Sequence, residues 1–284
     1  MVVILGLGFT GARLARRLMQ RGADVFAAVR GVDRFHELAH AGLQLSELTL
    51  AHPEAMSLPR DAIMAVLIPP LPEPGNSQLR KTIRKLAPKR VVYVSSTGVY
   101  GDQVDVGCET PAAPNDDRGR LRLDEERWIA SGPWTSLILR AAAIYGPGRG
   151  VHAAIRQGKI PRGAGSGIVS RIHVDDLAAI VEAGLFADLQ GAWPVADDAP
   201  CSTAEIARWC AKLLHLRVMN EETPGLSISG RKVDGRKIRE MLQIELKYPS
   251  WRTGIAASIV EEDNAEEAYA DQAPGELVKR VEAK

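Results

Sequence analysis

The sequence predicts an α/β fold in which a doubly wound parallel sheet carries a small C-terminal lobe. Three observations lead there. Short apolar runs alternate with amphipathic segments through the first half of the chain, a glycine pattern stands directly after the first run, and the runs are continuous rather than alternating. Continuous β-branched strands belong in a sheet covered by helices on both faces.

Taken in order, Val2–Leu5 reads as a strand, Phe9–Arg21 as a helix and Asp24–Val29 as a second strand. A weaker strand is expected over Leu43–Leu48, another over Ile63–Ile68, and the strongest over Val91–Ser95. Gln78–Leu86, Leu121–Ser131 and Val174–Phe186 read as helices, and Ser136–Leu139 as one more strand. Further on, glycines gather in Gly146–Gly150 and Gly158–Gly167, and prolines and acids in Pro194–Pro200. Ser202 or Thr203 followed by Glu205 reads as a helix start leading into Ile206–Leu214, and Gly230–Leu242 as another helix. The expected organisation is a dinucleotide-binding domain over residues 1–150, a smaller substrate lobe interleaved with the sheet over 151–260, and an acidic, frayed or disordered tail over 261–284.

The chain has 284 residues, 36 of them basic and 35 acidic, for a formal net charge of +1. That balance offers no electrostatic footprint for a nucleic acid, so none is expected as a partner. No stretch free of charged residues approaches the roughly 20 apolar residues of a bilayer crossing; Trp128–Leu139 is among the longest. The first apolar run passes straight into glycines rather than a small-residue cleavage site, and the chain is expected in the cytoplasm. Cys108, Cys201 and Cys210 are widely spaced and fit neither a disulfide framework nor a zinc signature, so no metal is expected.

Gly6-Leu7-Gly8-Phe9-Thr10-Gly11 is a GxGxxG pattern between a strand and a helix. The first glycine permits the turn, the second lets backbone approach a pyrophosphate, and the third allows close helix–strand packing, while the helix N–H groups attract phosphate. Gly6, Gly8, Phe9, Thr10 and Gly11 are therefore expected to bind a dinucleotide. The second strand ends on Arg30, about 20 residues on, where NAD enzymes commonly place an acid. An arginine there pairs with a 2′-phosphate and favours NADP over NAD. The alternatives are a solvated loop residue, or Asp33 as an NAD-type acid.

The third motif, Val91-Val-Tyr-Val-Ser95-Ser96-Thr97-Gly98-Val99-Tyr100-Gly101, puts hydroxyls at the carboxyl edge of a strand, where open α/β sheets hold their ligands. With it, with Leu139-Arg140-Ala-Ala-Ala-Ile144-Tyr145-Gly146-Pro147-Gly148-Arg149, and with Arg171-Ile172-His173-Val174-Asp175-Asp176, the chain resembles the extended short-chain dehydrogenase/reductase superfamily, the NAD-dependent epimerase/dehydratase group. The resemblance implies a Rossmann-like sheet, a nicotinamide cofactor and a small-molecule substrate held against the C-terminal lobe. It adds Ile68, Pro69, Ser95, Arg122 and Tyr145 to the expected cofactor contacts. It assigns Ser96 to orienting the substrate oxygen and makes Tyr100, Arg149 and His173 candidates for the substrate pocket, with core packing as the alternative for His173. Asp175 and Asp176 read as a helix cap and its following acid. A homodimer is an expectation from the family alone.

The superfamily's catalytic tyrosine and lysine are missing. Counting back from Glu126, their positions fall on Arg118 and Arg122. Arginine supplies charge and hydrogen bonds but stays protonated, so Arg122 can replace a ribose contact while Arg118 cannot replace a tyrosine acid–base. This resembles the atypical branch of the superfamily. If catalysis survives, Tyr100 or Tyr145 donates the proton, or water gives it to a carbonyl polarised by arginine. Arg118, Arg120, Arg122, Arg127 and Arg140 read either as an anionic-ligand site or as a solvated helix face with Arg122 and Glu126 paired. Two functions remain open: an NADP(H)-dependent oxidoreductase or epimerase-like enzyme acting on a small hydroxyl or carbonyl substrate, and a non-catalytic NADP(H)-binding sensor.

Overall fold

Val2–Leu5 forms β1 because a β-branched run packs on both faces of a sheet: Val2 and Ile4 enter one apolar layer, Val3 and Leu5 the other. In the computed structural model, which describes residues 1–50, 56–159, 167–214 and 230–272, this strand is followed by α1 (Phe9–Gln20), β2 (Val25–Val29), α2 (His36–His40), β3 (Gln44–Glu47), β4 (Ile63–Val66), α3 (Gly75–Leu86) and β5 (Arg90–Ser96). Next come β6 (Asp105–Val106), α4 (Asp117–Ala130), β7 (Thr135–Ala141), β8 (Ala143–Tyr145), α5 (Val151–Arg156), β9 (Ile168–Val169), β10 (Arg171–His173) and α6 (Val174–Phe186). The chain continues through β11 (Gly191–Val195), β12 (Cys201–Ser202), α7 (Thr203–Leu213), β13 (Lys232–Val233), α8 (Arg236–Leu242) and α9 (Trp251–Gln272).

Seven strands make one sheet in the order β3-β2-β1-β4-β5-β7-β11, and every neighbouring pair is parallel. The order reverses between β1 and β4, which is where a doubly wound sheet opens a crevice at the carboxyl ends of its strands. Leu14 and Leu18 of α1 and Leu177, Ile180 and Val181 of α6 cover one face. Leu79 and Ile83 of α3 and Ile129 of α4 cover the other. Both layers are apolar, as the continuous strands require.

Around the carboxyl edge lie three two-stranded sheets: β8 with β10, β9 with β12, and β6 with β13. Ile206 and Cys210 of α7 pack with Trp251, Ile255 and Ile259 of α9. Ser202 caps α7 by accepting the Glu205 N–H at 3.0 Å, the helix start that the sequence indicates.

Several elements depart from the sequence reading. Pro194 lies inside β11, which the prolines and acids of 194–200 concealed; β11 is the sheet's edge, where a missing N–H is tolerated. Gly230–Leu242 is not one helix, because Lys232 and Val233 pair with β6 and Gly235 packs against the Ala196 backbone before α8 begins. Residues 261–272, expected in a tail, continue α9, and Glu261 and Glu262 bind side chains of α1 and α5. Residues 273–284 lie outside the described residues, as do 160–166 of the glycine-rich stretch. Among the described residues no helix is long and apolar enough to cross a membrane.

Candidate active site

The crevice begins at the glycine loop between β1 and α1. Gly6 adopts φ +98°, a conformation that costs glycine little, and a Cβ there would stand 2.8 Å from Ile68 Cγ1. A Cβ on Gly11 would run into the Gly6 carbonyl oxygen, so this glycine allows the helix to press on the turn. Gly8 is different: a Cβ there would meet nothing within 4 Å. It caps α1 without a side-chain hydrogen bond, and the first intrahelical bond runs from Ala12 N–H to Gly8 oxygen at 2.9 Å. The N–H groups of Phe9, Thr10 and Gly11 stand ahead of that bond, and no acid occupies the first turn. Open space beside unpaired N–H groups fits a pyrophosphate.

On one side of this loop the crevice is about 870 Å³, floored by Val29, Leu48, Ile68 and Pro69. Arg13, Arg16, Arg30 and Arg34 border it, and no carboxylate does so among the described residues. Arg13 is engaged by Asp175 and Glu261. Arg30 stands exposed at the end of β2, and Arg34 reaches its carbonyl at 3.5 Å. Asp33 is exposed and does not border the cavity.

On the other side lies a cleft of about 380 Å³ bordered by Thr10, Pro69, Ser95, Ser96, Arg122 and Arg149. The two cavities share Gly6, Gly8, Phe9, Leu67 and Pro69 and so form one crevice across the switch point. Ser96 is half-buried and accepts the Gly98 N–H at 3.1 Å, which leaves its own proton to donate. Ser95 donates to Glu126 Oε1 at 2.5 Å. Arg149 stands over the Phe9 ring at 5.3 Å. Arg122 makes no ion pair among the described residues: its expected partner, Glu126, is buried and bound instead by Arg140, with Nη2 to Oε2 at 2.8 Å.

Other candidates lie away from the crevice. Arg118, one turn before Arg122, is exposed and does not border it. Tyr100 is wholly buried with the Arg140 guanidinium 5.0 Å from its ring, and Tyr145 packs under α9 against Gly254. Burial pushes both phenols above their ordinary range. Neither borders the cleft, so this geometry gives neither hydroxyl a route to a ligand there. His173 is 1% exposed between Tyr145 and Tyr248, with Nε2 3.2 Å from Ser258 Oγ. Burial lowers its pKa to about 4. His173, not an aspartate, caps α6 by accepting the Asp175 N–H, while Asp176 accepts the N–H groups of Lys247 and Tyr248.

Sequence reasoning missed Arg16 and Arg34 on the arginine-bordered side of the crevice and the Glu126–Arg140 pair beneath Ser95. Arg34, four residues after Arg30, carried a readable signal; the partner of Arg140 did not, because the pair joins β7 to α4.

No family model matches the chain. It is 28% identical over 271 residues to protein YeeZ of Escherichia coli K12, covering 87% of this chain and 96% of that one. It is 24% identical to the 3-diazoavenalumate denitrifying reductase of a Streptomyces species, with the same shares covered. A solved structure from Methylobacillus flagellatus, classed with the NAD-dependent epimerase/dehydratases, superposes with a TM-score of 0.72 at 25% identity, covering 92% of this chain and 97% of that one. The dTDP-glucose 4,6-dehydratase of Bacillus anthracis, solved with NAD, shares the fold with a TM-score of 0.75 at 15% identity, covering 94% and 98%. In its sheet order and glycine cradle, the chain is similar to the NAD-dependent epimerase/dehydratase structures of the extended short-chain dehydrogenase/reductase fold.

Proposed function

We propose that the protein is an NADP(H)-dependent oxidoreductase acting on a small hydroxyl or carbonyl substrate. The observation that carries the reading is the crevice itself: an open glycine cradle joins a half bordered by Arg16, Arg30 and Arg34, with no carboxylate among its described residues, to a half bordered by Ser96 and Arg122. The arginines suit a 2′-phosphate, since guanidinium binds phosphate with paired hydrogen bonds. The NAD named for the Bacillus dehydratase supports a nicotinamide dinucleotide, and the Streptomyces relative's name supports reductive chemistry.

When bound, a reduced nicotinamide would supply the hydride for reduction of the substrate's carbonyl carbon. Ser96 donates a hydrogen bond to the carbonyl oxygen. The Arg122 guanidinium stabilises negative charge as it grows on that oxygen. The proton that completes the alcohol comes from water in the open cleft, since the described lining contains no tyrosine.

That same lack of a tyrosine favours a second reading, a sensor that binds the dinucleotide without turnover. Incubating the protein with NADPH and a panel of aldehydes, ketones and keto-sugars separates the two. Consumption of NADPH that Ser96→Ala slows by about 100-fold supports the enzyme. Binding of NADPH without consumption across the panel supports the sensor.

A further inference from the structure

Arg171 of β10 is only 6% exposed, yet it has no ion-pair partner among the described residues. Its Nη1 donates to the Val169 and Cys201 carbonyls at 2.8 and 3.1 Å, and its Nη2 donates to Thr203 Oγ1 at 3.0 Å; its Nε makes no hydrogen bond among the described residues. Asp197, the nearby carboxylate, accepts the Ala199 N–H at 3.2 Å and lies buried with its other oxygen unpartnered among the described residues. Burial pushes the Asp197 carboxyl up to about 7, which weakens it as a counter-charge near neutral pH. A buried guanidinium held by neutral groups alone is costly, and such a charge beside a cavity points to a ligand.

The cavity is there. It measures about 260 Å³ and is bordered by Arg171, Thr203 and the apolar side chains of Val151, Ala154, Ile206 and Ile255. It shares Ala143 and Ile144 with the cleft that holds Ser96 and Arg122. One cation at the end of an apolar space is the pattern of a site for a small molecule with one anionic end. Its volume suits a molecule of a few carbons rather than a nucleotide sugar.

We propose that this cavity is the substrate's anchoring subsite and that the substrate is a small carboxylic acid, its carboxylate on Arg171, its carbon chain among Val151, Ala154 and Ile206, and its carbonyl in the adjoining cleft. The inference rests on the reading above for where the reacting carbon lies; the anion site itself stands on Arg171 and the cavity.

The test is calorimetric titration of 2-oxo acids of three to six carbons, and of their methyl esters, into protein saturated with NADP+. The expected result is that at least one acid binds about ten-fold or more tightly than its ester. Arg171→Lys, which keeps the charge and loses the fork, weakens that acid about ten-fold. Ala154→Leu fills the cavity without touching the hydrogen bonds of Arg171; it abolishes acid binding and leaves NADP+ affinity unchanged. Equal binding of acid and ester, no binding of any acid, or acid preference that survives Ala154→Leu overturns the inference. Failure of NADP+ itself to bind overturns the proposed function instead, and the same titrations on cofactor-free protein then decide the anion site.

Discussion

Glu262 of α9 accepts the backbone N–H of Gly148 at 2.6 Å, and the same carboxylate oxygen stands 3.1 Å from His152 Nε2. Its other oxygen takes Arg156 Nη1 at 3.1 Å. Pro147 and Arg149, the neighbours of Gly148, each border one half of the crevice. The C-terminal helix therefore holds the loop that crosses the crevice. Gly146, Gly148 and Gly150 all have positive φ, so the loop has little stiffness of its own. Glu262→Ala is expected to speed NADPH release about ten-fold in stopped-flow fluorescence, with a smaller effect from Glu262→Gln. Unchanged release would show that the loop needs no brace.

The glycine loop allows fold and ligand to be separated. Gly11→Ala forces a methyl group into the Gly6 carbonyl, with an expected loss of about 2 kcal/mol in urea unfolding. Gly8→Ala adds the same methyl group to open space. Its stability is expected within about 1 kcal/mol of the parent, while NADPH affinity falls at least ten-fold because the methyl occupies the pyrophosphate's place. Equal loss of stability in both variants would contradict this division.

Glu126 and Arg140 are a buried pair with Ser95 bound to the same carboxylate. Arg140→Leu leaves a buried carboxylate without its cation, with an expected cost of about 3 kcal/mol. Adding Glu126→Leu is expected to restore much of that stability. Urea unfolding of the single and double variants measures both, and a double variant no better than the single would refute the pairing argument.

Asp197 gives a pH dependence with a definite sign. Its pKa is raised from the ordinary 3.8 to about 7 by burial, so its contribution to stability is fully present below the unfolded value and is lost as pH rises through about 7. Asp197→Asn keeps the neutral form. At pH 8 it is expected to be more stable than the parent by about 4 kcal/mol, with the advantage gone by pH 4. His173, lowered to about 4, acts oppositely, costing stability as pH falls below the ordinary histidine range. Comparing variant with parent at each pH cancels that contribution. A pH-independent difference would mean that Asp197 titrates normally.

Local periodicity carried much of the fold. The boundaries of β1, α1, β2, β5 and α6 fall within a few residues of the sequence reading because each run is apolar on its own. The edge strand β11 hid behind Pro194, and α9 behind its acidic end, although Trp251, Ile255 and Ile259 repeat at helical spacing along its buried face. At the site, GxGxxG, Ser96 and Arg122 were legible because strand and helix ends place them directly. His173, Tyr100 and Tyr145 were not, since a residue's placement in crevice or core depends on what the lobe packs against it. Arg171 stood in a quoted motif, but its lack of an ion pair among the described residues is visible only in three dimensions.

Calorimetric titration of NADPH and NADH into the protein and into Arg30→Ala decides whether the crevice is built for NADP(H). The expected result is NADPH binding at least ten-fold tighter than NADH, with the gap closed in the variant. Equal affinities, or a preference for NADH, would contradict the assignment of the arginines at the adenosine end, and binding of neither would contradict the dinucleotide site itself.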